Sequence, residues 1–267
     1  MRWKAGGTLL GTVLGALVGT LGALLAFAPA SWLAHELASA TRQHVLLTDT
    51  RGSIWSGSGV LVLTGGADSS DASALPDRLE WSVGMQGLAL AVRVRQACCI
   101  TETLPVLLRP GLGGVRLSLS NPGQPLRLPA AWTAGLGTPW NTLQLGGMLQ
   151  VQAQDLQLAW SALGALQWQG RLTLDFVDLS SRVSTLASLG SYTLAVDSDP
   201  DTPGAARLHL STRDGALHLQ GEGRLAPDAH SQFHAEAQAA PGMEAALDNI
   251  LNIIGRRQGA RSIITIG

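Results

Sequence analysis

The sequence predicts a mainly β protein: one N-terminal transmembrane helix, then a largely antiparallel β-sheet domain carrying a C-terminal amphipathic helix. Three observations predict it. An uncharged apolar run fills residues 5–28. Beyond it, apolar residues recur with a period of two through most of the chain. Near the C-terminus the period changes to that of a helix.

The apolar run "AGGTLLGTVLGALVGTLGALLAFA", Ala5 to Ala28, follows Arg2 and Lys4. As a helix it spans roughly 36 Å at 1.5 Å per residue, enough to cross a bilayer. The basic residues place residues 1–4 in the cytoplasm and predict export of the rest. A cleaved signal peptide competes, since Ala26-Phe27-Ala28 and Ala28-Pro29-Ala30 both satisfy the small-residue rule. The run is longer than the ~7–15 residues of a signal core, and Pro29 would follow the first site directly, so a retained anchor is expected. Gly7, Gly11, Gly15 and Gly19 repeat every four residues. On a helix they form a strip that lets another helix approach closely, although glycine is common in membrane helices in any case.

Residues 29–50 are expected to lead out of the membrane, with "ASWLAHELASATRQHV" as a short helix and Trp32 at the interface. Residues 51–267 form the exported domain. Val60–Leu63 reads as an apolar strand, and Leu79, Trp81 and Val83 alternate. So do Leu88, Leu90, Val92 and Val94, with Arg93 and Arg95 facing the other way. Val115, Leu117 and Leu119 follow, then Leu156, Leu158 and Trp160, then Leu172, Leu174 and Phe176. Leu208-Leu210 and Leu217-Leu219 flank a hairpin turn at Arg213-Asp214-Gly215. Such alternation predicts antiparallel strands with one face buried. Residues 65–78 and 197–204 read as loops, and "LSSRVSTLASL", Leu179 to Leu189, as a short helix. Met243, Ala246, Leu247, Ile250, Leu251 and Ile254 share one helical face between Pro241 and Gly255, and "RSIITIG" adds a last strand. Gly52-Ser53-Ile54-Trp55 before Leu79-Glu80-Trp81 is echoed by Gly137-Thr138-Pro139-Trp140 before Leu158-Ala159-Trp160, as two related sheet halves would be.

The chemistry of catalysis is missing from these patterns. Charged residues are 14% of the chain and the net charge is −1, which gives no global attraction for nucleic acid. The only cysteines, Cys98 and Cys99, are adjacent. In a strand they would point to opposite faces, so two buried thiols are expected rather than a vicinal disulfide. His230 and His234 have helical metal-pair spacing, but they sit in an alternating stretch, where positions four apart lie roughly 13 Å from each other. A polar sheet face is the expectation. Asp197, Asp199 and Asp201 begin like a calcium loop, yet the sixth position is Thr202 and the twelfth Leu208. No nucleophile elbow, phosphate loop or dinucleotide fingerprint occurs. The chain is therefore expected to be no enzyme, and to need neither metal nor cofactor.

One stretch stands apart. "RGSIWSGSGVLVL", Arg51 to Leu63, sets a tryptophan among small residues. Gly52 permits a turn, Trp55 fills a gap where the first strand meets the core, and Gly57 and Gly59 admit another backbone. With "APASWL", "LEWSV", "LQWQGRLTLDF", "DGALHLQGEGRL" and the closing "LDNILNIIGRRQGARSIITIG", it resembles the type II secretion system protein N family. Gly52-x-x-Trp55-x-Gly57 is the most specific element; the family often has asparagine where this chain has Ser56. The resemblance implies an inner-membrane accessory protein with a periplasmic β domain. It would act as a scaffold or adaptor among the inner-membrane and periplasmic subunits of a machine that moves folded proteins across the outer membrane. It implies no catalytic residues. The anchor-plus-sheet layout is also similar to the AsmA-like families, whose curved sheets carry an apolar groove, and this makes bound lipid the alternative.

Overall fold

The structure is a computed structural model that describes residues 13, 15–16, 19–20, 22–111, 113–119, 121, 123–161, 166–226 and 231–267. Residues 13, 15–16, 19–20 and 22–26 are helical. Among the described residues, no helix is long and apolar enough to cross a membrane. Helix α1, Ala30–Ala40, follows Pro29, which fixes the extended entry to its first turn.

From Val45 onward the described strands join in one sheet. Its strands are β1 (Val45–Gly52), β2 (Ser56–Thr64), β3 (Ala72–Ala74), β4 (Leu79–Gln86), β5 (Ala89–Gln96), β6 (Ile100–Gly111), β7 (Gly114–Leu119) and β8 (Leu126–Pro129). After a 3-10 turn at Ala130–Leu136 and the short helix α2 (Trp140–Leu143) come the long strands β9 (Leu145–Ser161) and β10 (Leu166–Ser181). Then follow β11 (Gly190–Ser198), β12 (Ala206–Gly215), β13 (Leu217–Leu225), β14 (Gln232–Ala239), helix α3 (Glu244–Ile254), β15 (Arg256–Gln258) and β16 (Arg261–Ile266). The order is β1-β2-β4-β5-β6-β7-β9-β10-β11-β12-β13-β14-β16-β15, with β3 beside β2 and β8 beside β9. Every described pairing is antiparallel.

Register carries the apolar alternation from strand to strand. Val83 lies opposite Val92, Val92 opposite Val106, and Val106 opposite Leu119. Leu90, Leu108, Leu117, Leu158 and Trp168 form the next rung. Further on, Leu174 faces Leu194, which faces Leu210. Directly opposite side chains share a face, so one apolar face runs across the sheet and a polar one backs it.

Two clusters cover parts of the apolar face. At the C-terminal end α3 lays Leu247, Ile250 and Leu251 on Tyr192, Leu217 and Ala237. Full burial stabilises each such aliphatic side chain by about 1.5–3 kcal/mol. The Tyr192 hydroxyl donates to the Leu217 carbonyl at 2.8 Å, and burial pushes its pKa up. Gly255 ends the helix where a Cβ would stand 2.5 Å from the Ile263 carbonyl, so a close approach requires the glycine. At the other end α1 covers Leu47 and Trp81 through Ala30, Ala34 and Leu37. Between them, among the described residues, neither cluster covers Val92, Val94, Leu104, Val106, Leu117 and Leu158, which remain half-buried.

Several expectations change. Cys98 and Cys99 are joined by a disulfide. They occupy the turn 97–99 between β5 and β6, where the opposite-face rule for strands does not hold. Leu179–Leu189 makes no helix: β10 runs on to Ser181 and turns follow. There Ser181 donates to the Leu143 carbonyl at 2.5 Å, and Ser184 accepts the Leu186 N–H at 3.1 Å, local bonds that compete with a helix. The sheet already begins at Val45, inside the expected exit segment, and the expected loop at 65–78 contains β3. Leu88 belongs to a hairpin tip rather than to β5. The two tryptophan echoes occupy unlike places, Trp55 in a turn and Trp140 at the start of α2. His230 lies outside the described residues. His234 is exposed on β14, opposite Glu222.

The aspartate loop closes on arginines. Asp199 accepts from Arg207 at 2.8 Å and meets Arg224 at 3.3 Å, while Arg207 also reaches Asp201 at 3.1 Å. The bond from Arg207 holds the Asp199 carboxyl below its ordinary value, against the opposing effect of burial. A depressed folded pKa means that this stabilisation is complete above the ordinary value of 3.8 and lost as pH falls through the folded value. Asp199→Asn is expected to lower stability near neutrality and to flatten the loss of stability in acid, measured by urea denaturation across a pH series.

Candidate functional site

The N-terminal segment meets the sheet at the turn between β1 and β2, and the "GSIWSG" motif makes that turn. Gly52 has φ +86°, a left-handed value that favours glycine, and a Cβ there would strike the Ser56 carbonyl. The Ser53 hydroxyl accepts the N–H groups of Trp55 and Ser56, each at 3.2 Å, which closes a serine turn.

That turn grips the chain leaving the N-terminal segment. Ile54 N–H donates to the Ala28 carbonyl at 3.0 Å, and Pro29 bridges Ser53. The Trp55 indole N–H donates to the Leu25 carbonyl at 2.8 Å. Carbonyls at a helix C-terminus lack partners within the helix, and here the turn supplies two donors. The Trp55 carbonyl in turn accepts Val83 N–H at 2.7 Å, so β4 fixes the far side.

Trp81 supports this from beneath. It is only 5% exposed, and its indole donates to the Ser53 carbonyl at 3.2 Å. Its ring lies against Gly57, where a Cβ would come within 2.5 Å of Cζ2. Gly59 makes similar room for Leu47. The ring that fills the core is thus Trp81. Trp55, expected to fill that gap, is half-buried and spends its N–H on the N-terminal segment. The sequence shows both tryptophans, but only the pairing of Gly57 with Trp81 identifies which is covered.

On the polar side a cleft of about 540 Å³ opens beside the turn, lined by Arg51, Ser58, Glu80, Arg93, Arg95 and Thr103. Arg95 pairs with Glu80 and Arg51 with Asp49, both at 3.3 Å. Hydrogen bonding from Arg78 holds the Asp49 carboxyl below its ordinary value. Among the described residues, Arg93 has no carboxylate partner and no cluster of His, Cys, Asp or Glu could hold a metal ion. Of the glycine strip, Gly7 and Gly11 lie outside the described residues. Gly15 and Gly19 are helical, with open space where a Cβ would stand.

The roles of the two tryptophans separate by mutation. Trp81→Ala is expected to cost about 3–5 kcal/mol, as for a large buried ring. Trp55→Phe, which removes only the indole donor, is expected to cost about 0.5–1.5 kcal/mol. Equilibrium denaturation of the full chain in detergent measures both, and equal losses would contradict this division.

A family model described as type II secretion system (T2SS), protein N, matches residues 43–264. No curated protein and no solved structure matches the chain.

Proposed function

The chain belongs to the type II secretion system protein N family, and from that premise we propose that it is a non-enzymatic scaffold of the secretion machinery, held in the inner membrane. Residues 1–4 stay in the cytoplasm, 5–28 cross the membrane, 29–50 lead out, and 51–267 form the periplasmic domain. The sheet domain engages periplasmic subunits, and the strip of Gly7, Gly11, Gly15 and Gly19 engages membrane helices of inner-membrane subunits.

The observation that carries this reading is the grip of Ser53–Trp55 on Leu25, Ala28 and Pro29. Cleavage after Ala28 would discard the Leu25 carbonyl that Trp55 holds. A retained segment becomes part of the fold of the domain, so that a shift of the membrane helix against its neighbours is felt in β1, β2 and β4. That coupling suits a scaffold.

Bilayer retention is tested by alkaline extraction of membranes containing the full chain, which is expected to leave it in the pellet at its uncleaved mass. Gly15→Leu with Gly19→Leu is expected to abolish cross-linking to partner membrane helices and to lower secretion without changing abundance. Full secretion and cross-linking in that variant would overturn the role of the strip.

A second reading has its own support in the uncovered apolar rungs between the two core clusters, from Val92 and Leu104 to Leu158. A half-buried aliphatic surface without a covering layer suits acyl chains. Native mass spectrometry of the full chain released from detergent is expected to show bound phospholipid on this reading; only lipid-free protein would exclude it.

A further inference from the structure

The sheet has two ends, and its connections sort onto them. The β1–β2 turn, which holds the N-terminal segment, lies at the same end as the hairpin tips of β4–β5, β6–β7 and β9–β10. This follows from the registers Gly52 with Gly57, Gln86 with Ala89, Gly111 with Gly114, and Trp160 with Leu166. The disulfide turn and α3 lie at the opposite end.

The first end is unusually apolar. Leu88 is 95% exposed at the β4–β5 tip and Met85 79% beside it. Two strands on, Val115 beside the β6–β7 tip is 41% exposed. Trp160, opposite Val115, is also exposed. Leaving such side chains in water forfeits their burial, and a cluster of them marks a contact surface.

The charges beside these tips are uncompensated. Arg109 and Arg116 lie directly opposite each other on β6 and β7, and both are exposed. Like charges on one rung repel. Neither arginine has a carboxylate partner among the described residues. The C-terminal strands are built otherwise. There Arg171 faces Asp197 at 2.5 Å and Arg261 meets Glu236 at 3.2 Å. A rung of two arginines next to apolar tips is matched by an anion at the edge of an apolar phase.

We propose that this end of the sheet docks on the anionic bilayer surface, with the tips bearing Met85, Leu88, Val115 and Trp160 in the headgroup layer and Arg109 and Arg116 on lipid phosphate. The proposal rests on the membrane-anchor reading above and deepens it. The occupant is a membrane because the tips continue from the turn that holds the N-terminal segment, and because arginine pairs phosphate while tryptophan favours the interface. The domain then has two attachments, the helix and the tips, and its orientation on the membrane is fixed.

The test uses the full chain in nanodiscs of phosphatidylcholine, with or without phosphatidylglycerol, carrying photoreactive benzoylphenylalanine in place of Leu88 or of Met243. Met243 is exposed at the opposite end. A lipid-mass adduct is expected from position 88 and none from 243. Arg116→Glu puts a carboxylate opposite Arg109 and keeps the rung paired; it is expected to lower the adduct yield in phosphatidylglycerol discs to that in phosphatidylcholine alone. A chain that stays with the disc but gives no lipid adduct at 88, or equal adducts at 88 and 243, overturns docking and leaves the anchor standing. An unchanged yield with Arg116→Glu overturns the role of the arginines. A chain that does not stay with the disc overturns the anchor, and docking with it.

Discussion

Cross-strand register is the constraint on which the rest of this structure depends. Side chains alternate with a period of two, so a slip of one residue anywhere between β4 and β16 would send a strand's aliphatic side chains to the polar face. Both core clusters, the uncovered apolar rungs and the arginines on the reverse face exist only because register is kept over so many strands. Several devices keep it. The Trp81 ring can lie against position 57 only because Gly57 has no Cβ, and the bulges that shift β10 against β9 and β11 fall at Gln169–Arg171 and Phe176–Leu179, beside the glycines and aspartates that tolerate them.

The junction motif shows how few residues join the N-terminal helical segment to such a sheet. Gly52 supplies the left-handed backbone, Ser53 closes the turn, and Trp55 and Ile54 donate to carbonyls that a helix end leaves open. Trp81 holds the turn from the sheet side through the Ser53 carbonyl. The two tryptophans divide one task, with one in the core and the other reaching outward.

Much of this fold was legible in the sequence because alternation is a local signal. The runs around Trp81, Val92, Leu117, Leu158 and Leu174 fall on β4, β5, β7, β9 and β10. The helical face of Leu247, Ile250 and Leu251 is buried on the sheet as its period requires. What escaped was decided elsewhere in the chain. β1 escaped because "VLLTDTRG" breaks its alternation at a bulge. The cysteine pair was judged by strand geometry although it occupies a turn. For Trp55 and Trp81, burial depends on which glycine lies opposite, a fact that only long-range pairing contains. The end of the sheet bearing Met85, Leu88 and Arg109 was hidden for the same reason: its members come from separate hairpins, and each looks ordinary alone.

The two outer strands have a consequence for how this molecule meets others. β1 is bulged between Thr48 and Arg51, with Asp49 at φ +45°, and α1 packs over it. β15, at the opposite margin, is three residues long and begins Arg256-Arg257. Bulges, charge and short length are the means by which a sheet discourages another strand from joining its margin. A sheet terminated in this way does not add copies of itself edge to edge, so it does not propagate into a fibre. The surface such a sheet leaves open to contact is its two faces and its hairpin tips, where side chains rather than unpaired backbone groups decide what fits.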